Sequence, residues 1–294
     1  MNTAAVIGAG LMGRRIAGVM ARAGVDVVLV DTLEQVVSAG RDVAVEMAEG
    51  RGSVTISTDV LSAVVDVDFI TEAVIEDLNV KNDLVVAISQ VNPEALIATN
   101  TSVLPITSIA EGAISPERVV GTHWWNPPDL IPIVEVVRGA KTSDSTMEDT
   151  YVFLAALGKT PVRIERDVAG FVGNRLQHAL WREAISLIAE GVCDAETVDL
   201  VCRNTIGLRL AEMGPIENAD YVGLDLTLAI HRAVIPALNA DRDAHPYLAE
   251  LVAAGDLGAK SGQGFLSWEP GSRDLAAQRL SQHIVRQLQT KEKS

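Results

Sequence analysis

From Thr3 to Glu165, short apolar runs alternate with stretches whose apolar positions recur at helical spacing. Thr3–Gly8, Val25–Val30, Val54–Ser57, Val67–Ile75, Leu96–Thr99, Arg118–Thr122, Ile131–Val137 and Thr160–Glu165 read as strands. Helices are expected at Arg14–Ala23, Glu34–Glu49, Glu76–Val91 and Ser143–Leu157, with a shorter one opened by Pro105. Gly24 and Gly50-Arg-Gly52 close the first two, and Asn92-Pro93 breaks the third, because proline cannot continue a helix. Strands alternating with helices predict an α/β fold with a doubly wound, mostly parallel sheet. The alternation stops at Asp167-Val-Ala-Gly170. Beyond it Val172, Leu176, Leu180, Ala184 and Leu187 share one helical face, Gly191 closes that helix, and Asp194 caps the next. Further helices are expected near 195–205, 215–238, 246–254 and 273–289. The chain therefore divides into a sheet domain, 1–167, and an all-α C-terminal domain, 168–294, ending in a frayed tail, Lys291-Glu-Lys-Ser294.

The first strand runs into Gly8-Ala9-Gly10-Leu11-Met12-Gly13, which opens the first helix, and an acid, Asp31, ends the next strand. A GxGxxG alone is weak; between a strand and a helix, with an acid about 20 residues on, it marks a Rossmann-type dinucleotide site. Gly8 permits the tight turn, Gly10 lets backbone approach a pyrophosphate, and Gly13 lets helix and strand pack closely. Leu11 and Met12 contribute the N–H groups of the helix start. Asp31 can accept hydrogen bonds from a ribose diol and repels a 2′-phosphate, so NAD is expected over NADP, a preference softened by Arg14 and Arg15 nearby.

Ligands of such sheets sit beyond the C-terminal strand ends. Ser102 and His123 both fall there. After His123 the chain turns at Asn126-Pro127-Pro128, and Glu135 lies in the following apolar run, placed to meet the imidazole as an orienting carboxylate.

With 294 residues the chain can hold two cores, and with 48% hydrophobic but 4% aromatic residues those cores must be mostly aliphatic. A net charge of −15 argues against nucleic acid and anionic membranes as partners. No apolar run reaches the roughly 20 residues that span a bilayer. The N-terminus enters a strand at once, leaving no room for a leader, so a cytoplasmic location is expected. Cys193 and Cys202 lack metal-ligand spacing, so they are expected to be reduced, and no metal is expected.

The chain resembles the L-3-hydroxyacyl-CoA dehydrogenase family along nearly its whole length. The resemblance rests on Gly8-x-Gly10-x-x-Gly13, Glu76 with Lys81, Asn100-Thr-Ser102, His123-Trp-Trp-Asn-Pro-Pro, Glu135, Gly170-Phe-Val-Gly-Asn174-Arg, Met213-Gly-Pro with Tyr221-Val-Gly-Leu-Asp, and Lys260-Ser-Gly-Gln-Gly-Phe. It implies an NAD-dependent dehydrogenase with His123 as catalytic base, Glu135 as its partner, and Ser102 and Asn174 on the substrate oxygen. It also implies cofactor contacts from Glu76, Lys81, Asn100, Ser102, Asn126 and Lys260, and a homodimer formed through the helical domain.

Two departures bear on the substrate. Family members usually carry a long helical hairpin after the second strand that helps hold coenzyme A, whereas Asp31 to Asp59 has room for one helix and a short strand. The chain also has only six lysines to meet CoA phosphates. Second, Gly207-Leu-Arg209-Leu-Ala-Glu-Met departs from the family's shorter proline-containing segment, and Arg209 could offer a bidentate fork to a free carboxylate. The expected substrate is a small free hydroxy carboxylic acid, with Trp124 and Trp125 suited to a compact or aromatic pocket. The alternatives are a hydroxyacyl-CoA thioester and a non-catalytic NAD(H)-binding protein of the same fold. The wider β-hydroxyacid dehydrogenase group, which places a lysine four residues before a helical Asn, is disfavoured because position 170 is glycine.

Overall fold

The structure, a computed structural model, describes residues 1–291; the tail beyond Lys291 lies outside the described residues. The sheet domain opens with β1 (Thr3–Ile7), α1 (Leu11–Arg22), β2 (Asp26–Val30), α2 (Glu34–Ala48), β3 (Val54–Ser57) and α3 (Val60–Ala63). It continues through β4 (Phe69–Glu72), α4 (Leu78–Val91), β5 (Leu96–Thr99), α5 (Ile106–Ile109), β6 (Val119–Trp124), β7 (Ile133–Val137), α6 (Asp144–Ala156) and β8 (Thr160–Ile164). The eight strands lie in the order β3-β2-β1-β4-β5-β6-β7-β8, all neighbours parallel except β6 and β7. The order reverses between β1 and β4, the switch point at which such sheets bind ligands.

Strand alternation sends successive side chains to opposite faces, so each face of the sheet acquires its own core. One holds Val6, Leu29, Phe69, Trp124, Val134 and Val136 under α1, α2 and α6. The other holds Ile7, Ile70, Ile97, Val119 and Val137 with Ile88, Ile106 and Phe171. Both are mostly aliphatic, as the low aromatic content requires, and both strand faces are buried as a parallel sheet demands. The span after β2 holds α2, β3 and the single turn α3.

Contacts group Met1–Arg175 with the described residues from Ile284, and Leu176–His283 as a second unit. The helices after the sheet are α7 (Gly173–Ala189), α8 (Ala195–Asn204), α9 (Ile206–Leu210), α10 (Pro215–Val222), α11 (Leu224–Val234), α12 (Pro246–Ala254) and α13 (Ser272–Lys291). Asp194 caps α8 by accepting from the Thr197 N–H at 2.8 Å. The single helix expected over 215–238 is two: Gly223 sits at φ 103°, outside the helical basin, and divides α10 from α11. An additional short helix, α9, carries Arg209.

Apolar periodicity predicted a buried face on α7, but Val172, Leu176 and Leu180 are exposed. Among the described residues of the second unit, Ala195 is the one buried hydrophobic side chain. Among the described residues its periodic apolar faces are largely exposed.

Candidate functional site

The Gly-rich turn shows why its three glycines stand where they do. Gly8 lies at φ 96°, and a Cβ there would meet the Ala73 carbonyl oxygen at 2.6 Å. A Cβ on Gly13 would overlap the Gly8 carbonyl. A Cβ on Gly10 would meet nothing within 4 Å, so this is the open side of the turn, where backbone and α1 N–H groups face a space suited to a pyrophosphate. No side chain caps α1, and its first turn holds no acid, leaving the positive helix end available to an anion. Asp31 accepts from the Ala9 N–H at 2.9 Å and the Leu33 N–H at 3.1 Å. Each oxygen keeps lone-pair capacity for a diol. Of the neighbouring arginines, Arg15 is engaged by Asp129 at 2.7 Å. Leu11 is half exposed at the mouth of the turn, whereas the Met12 side chain packs against the core. The turn thus fits the diphosphate and ribose of NAD.

A second cluster ties the ends of β4 and β5 to the Ser102 turn. Lys81 has no exposed surface; its Nζ donates to Glu72 Oε1 at 3.0 Å, Glu72 Oε2 at 2.8 Å and the Asn100 carbonyl at 3.1 Å, with Glu76 Oε2 at 3.6 Å. Glu72, equally buried, also accepts from Thr99 Oγ1 and from the Val74 N–H. Burial pushes the Glu72 carboxyl above its usual range despite the lysine charge and these hydrogen bonds. Glu76 Oε1 accepts from Thr101 Oγ1 at 2.6 Å, Ser102 N–H at 2.7 Å and Val103 N–H at 3.2 Å. Lys81 is therefore enclosed by protein oxygens, which corrects the expectation of a lysine facing the cofactor; Glu76 and Asn100 stand between it and the surface. Asn100 Oδ1 accepts the Trp124 N–H at 3.2 Å, joining this turn to β6.

His123 and Glu135 are directly opposed residues of the antiparallel β6–β7 pair. Opposed residues point to the same face, and His123 Nδ1 lies 2.7 Å from Glu135 Oε2, with the side chains 5% and 4% exposed. Glu135 Oε1 accepts the N–H groups of Val172 at 3.0 Å and Gly173 at 3.1 Å, at the start of α7. Burial pushes the Glu135 carboxyl up, but the bond from His123 and these two N–H groups outweigh it and hold the group below its ordinary value. A carboxyl depressed on folding stabilises the protein above its unfolded pKa and ceases to do so as pH falls through its folded one. The stability difference between the wild type and Glu135→Gln is therefore expected to shrink as pH drops from 7 towards 3. A denaturation series over that range checks this; a pH-independent difference would contradict it.

The start of α7 reaches the Ser102 turn as well: Asn174 Nδ2 donates to the Ser102 carbonyl at 3.0 Å. Ser102 is exposed, and neither its hydroxyl nor His123 Nε2 has a hydrogen-bond partner among the described residues. The imidazole is flanked by Trp125, centroids 4.9 Å apart, and by Phe171 at 5.8 Å. Phe171 is buried at φ 48°, a conformation a bulky residue adopts only when its surroundings impose it.

Trp124 does not join this group. Strand alternation turns it to the face opposite His123, where it is 3% exposed in the core beneath Lys159. That corrects its assignment to a pocket wall. Lys159 is itself buried and donates to the carbonyls of Pro128 and Ile131, fixing the bend after the cis Asn126–Pro127 peptide. Burial, aided by the charge of Arg22 and opposed by Asp129, lowers its pKa to about 8. Asn126 is exposed on that bend. Arg209 and Lys260 lie exposed in the second unit, and neither forms an ion pair among the described residues. Glu72 escapes sequence reasoning, and Phe171 and Gly173 enter it only as members of the Gly170–Arg175 motif with no role of their own: a carboxylate inside an apolar strand and residues before a helix carry no local signal of the contacts they make.

The 3-hydroxyacyl-CoA dehydrogenase NAD-binding domain profile matches residues 3–168, and the C-terminal domain profile of the same family matches 170–268. A probable 3-hydroxybutyryl-CoA dehydrogenase of Deinococcus radiodurans is 38% identical over 280 residues, covering 90% of this chain and 99% of its own. The 5-formyl-3-hydroxy-2-methylpyridine 4-carboxylate 5-dehydrogenase of Mesorhizobium japonicum is 35% identical over 300 residues, covering 96% of each. A crystal structure of a 5-dehydrogenase of that pyridine carboxylic acid, described as an NAD+-dependent dismutase, superimposes with a TM-score of 0.91 at 32% identity over 97% of each chain. The dinucleotide turn and these likenesses, which span both domains, place the chain in the 3-hydroxyacyl-CoA dehydrogenase family, as an NAD-dependent dehydrogenase acting on a CH–OH carbon.

Proposed function

We propose that the chain interconverts a small free hydroxy carboxylic acid and its oxo form, with His123 as the acid–base group. The observation that carries the choice of a free acid is the single helix, α2, between β2 and β3, where a CoA-supporting hairpin is expected of the family. The name of the Mesorhizobium relative, a pyridine carboxylate dehydrogenase, points the same way.

In the oxidative direction the substrate hydroxyl gives its proton to His123 Nε2, the ring nitrogen left open because Nδ1 faces Glu135. Bound NAD supplies a hydride acceptor for the C–H bond that breaks, leaving a carbonyl. Glu135 fixes the imidazole tautomer and stabilises the imidazolium, while its other oxygen is held by the α7 N–H groups and cannot swing away. The Ser102 hydroxyl and the Asn174 amide hold the substrate oxygen. In reduction the protonated imidazole returns the proton.

The 38% identity to a probable 3-hydroxybutyryl-CoA dehydrogenase favours a second reading, a genuine hydroxyacyl-CoA dehydrogenase. NADH consumption with acetoacetyl-CoA and with a panel of free 3-oxo and aromatic oxo acids separates the two. The free acids are expected to be the better substrates by kcat/KM; turnover of the thioester alone overturns the proposal.

The exposed apolar faces of the helical unit belong to the same reading. Ile216 and Tyr221 are 76% and 79% exposed, and apolar surface on this scale marks an interface. A second copy of the chain covers it, giving a homodimer. Sedimentation at micromolar concentration is expected to give twice the 31.2 kDa chain mass, and a monodisperse monomer would refute it.

A further inference from the structure

Gly173, the first residue of α7, is in contact with the residue that flanks the imidazole. A Cβ placed on it would overlap Trp125 Cζ2 and come within 3.0 Å of Cη2 and 3.1 Å of Cε2. The indole therefore occupies the volume that any other residue at position 173 would claim. Gly173 cannot simply move back, since its N–H donates to Glu135 Oε1 at 3.1 Å and Asn174 follows it with a bond to the Ser102 carbonyl. The Trp125 ring lies against this turn and beside the His123 ring, with centroids 4.9 Å apart and an interplanar angle of 51°. Unlike Trp124, it keeps exposed surface.

We infer that Trp125 and Gly173 are a reciprocal pair that sets substrate shape: the missing Cβ seats an indole beside the His123 imidazole, and the indole presents a wall to the reacting carbon. Such a wall favours a compact planar acid, aromatic or conjugated, which can lie against the ring. It disfavours a flexible acyl chain leaving the carbonyl on that side. The inference rests on the proposal that His123, Ser102 and Asn174 form the reaction centre, and deepens it by naming the residues that choose the substrate class.

The test is a double-mutant cycle on the full-length enzyme, using whichever substrate of the panel the wild type turns over best. Gly173→Ala forces the indole out of place and is expected to lower kcat/KM about 10–100-fold, since misplacing a group beside the reacting atoms by about 1 Å can cost about 100-fold in rate. Adding Trp125→Phe removes the fused ring that the new methyl meets, and the double variant is expected to recover most of that loss. Trp125→Phe alone is expected to raise the ratio of kcat/KM for acetoacetyl-CoA to that for a planar aromatic oxo acid about tenfold. A purely structural pair would not move that ratio, and NADH affinity, read by fluorescence, stays at its wild-type value in all three. Should Gly173→Ala fail to fold, the ratio in Trp125→Phe still decides. Full activity in Gly173→Ala, absence of rescue, or an unchanged ratio overturns the inference. A wild type that prefers the thioester while the cycle still shows loss and rescue overturns the free-acid proposal and leaves the reciprocal packing standing, so the two failures are distinguishable.

Discussion

Replacing His123 by alanine is expected to lower turnover about 10²–10⁴-fold while NADH still binds. The imidazole is set between two aromatic rings, with one nitrogen facing Glu135 and the other without a hydrogen-bond partner among the described residues. Imidazole is the side chain whose chemistry suits taking and returning a proton in the physiological range. In the proposed role the imidazole contributes rate rather than cofactor affinity. The Gly-rich turn and Asp31 are built on β1, α1 and β2 and do not include the histidine. The variant should therefore separate the two functions: kcat falls, and NADH fluorescence titration gives a near wild-type Kd. Turnover within a few-fold of wild type would remove His123 from the mechanism. Loss of NADH binding in a folded variant would instead make it a cofactor-site residue.

Lys81→Met is expected to be the most destabilising single change in the sheet domain. It leaves the Glu72 carboxylate fully buried with only the Thr99 hydroxyl and the Val74 N–H as partners. Removing one member of a buried ion pair typically costs about 3–5 kcal/mol, because the remaining charge has lost its counter-charge and is shielded from water. Loss of the lysine charge pushes the Glu72 carboxyl further upward, the direction in which burial already drives it. The double variant Glu72→Gln/Lys81→Met removes both charges and is expected to recover much of the loss. Denaturant unfolding of the two variants measures this, and equal destabilisation in both would show that charge pairing is not the cause. The single variant should also bind NADH more weakly. Lys81 holds the Asn100 carbonyl and lies 3.6 Å from Glu76, whose other oxygen fixes three donors of the Ser102 turn.

Much of the architecture could be read from residue order because its signals are local. β3 and β5 fall on the expected residues, since short β-branched runs bounded by polar or Gly residues leave little freedom. Helix starts were less legible. α1 begins at Leu11 rather than Arg14, because a glycine turn already has helical N–H groups pointing outward and no capping side chain marks the first residue. The division of α10 from α11 at Gly223 depends on one backbone angle that the apolar period does not reveal. Trp124 and Trp125 illustrate the limit within the site. Adjacent in sequence and alike in chemistry, they fall on different sides, because β6 alternates its side chains and ends between them.

Sequence alone determined the alternation that makes a doubly wound sheet, the glycines and acid that suit a dinucleotide, and the residue types available for proton transfer. These depend on neighbours a few positions apart, where periodicity and backbone sterics act. Only the tertiary structure decided that His123 and Glu135 are opposed across one antiparallel pair, that the start of α7 holds both Glu135 and the Ser102 turn, and that Lys81 is enclosed by Glu72 rather than presented to a ligand. Each of those contacts joins residues from separate elements, and its geometry is set by strand register and by the volume left between packed side chains. Neither quantity is carried by any single stretch of the chain.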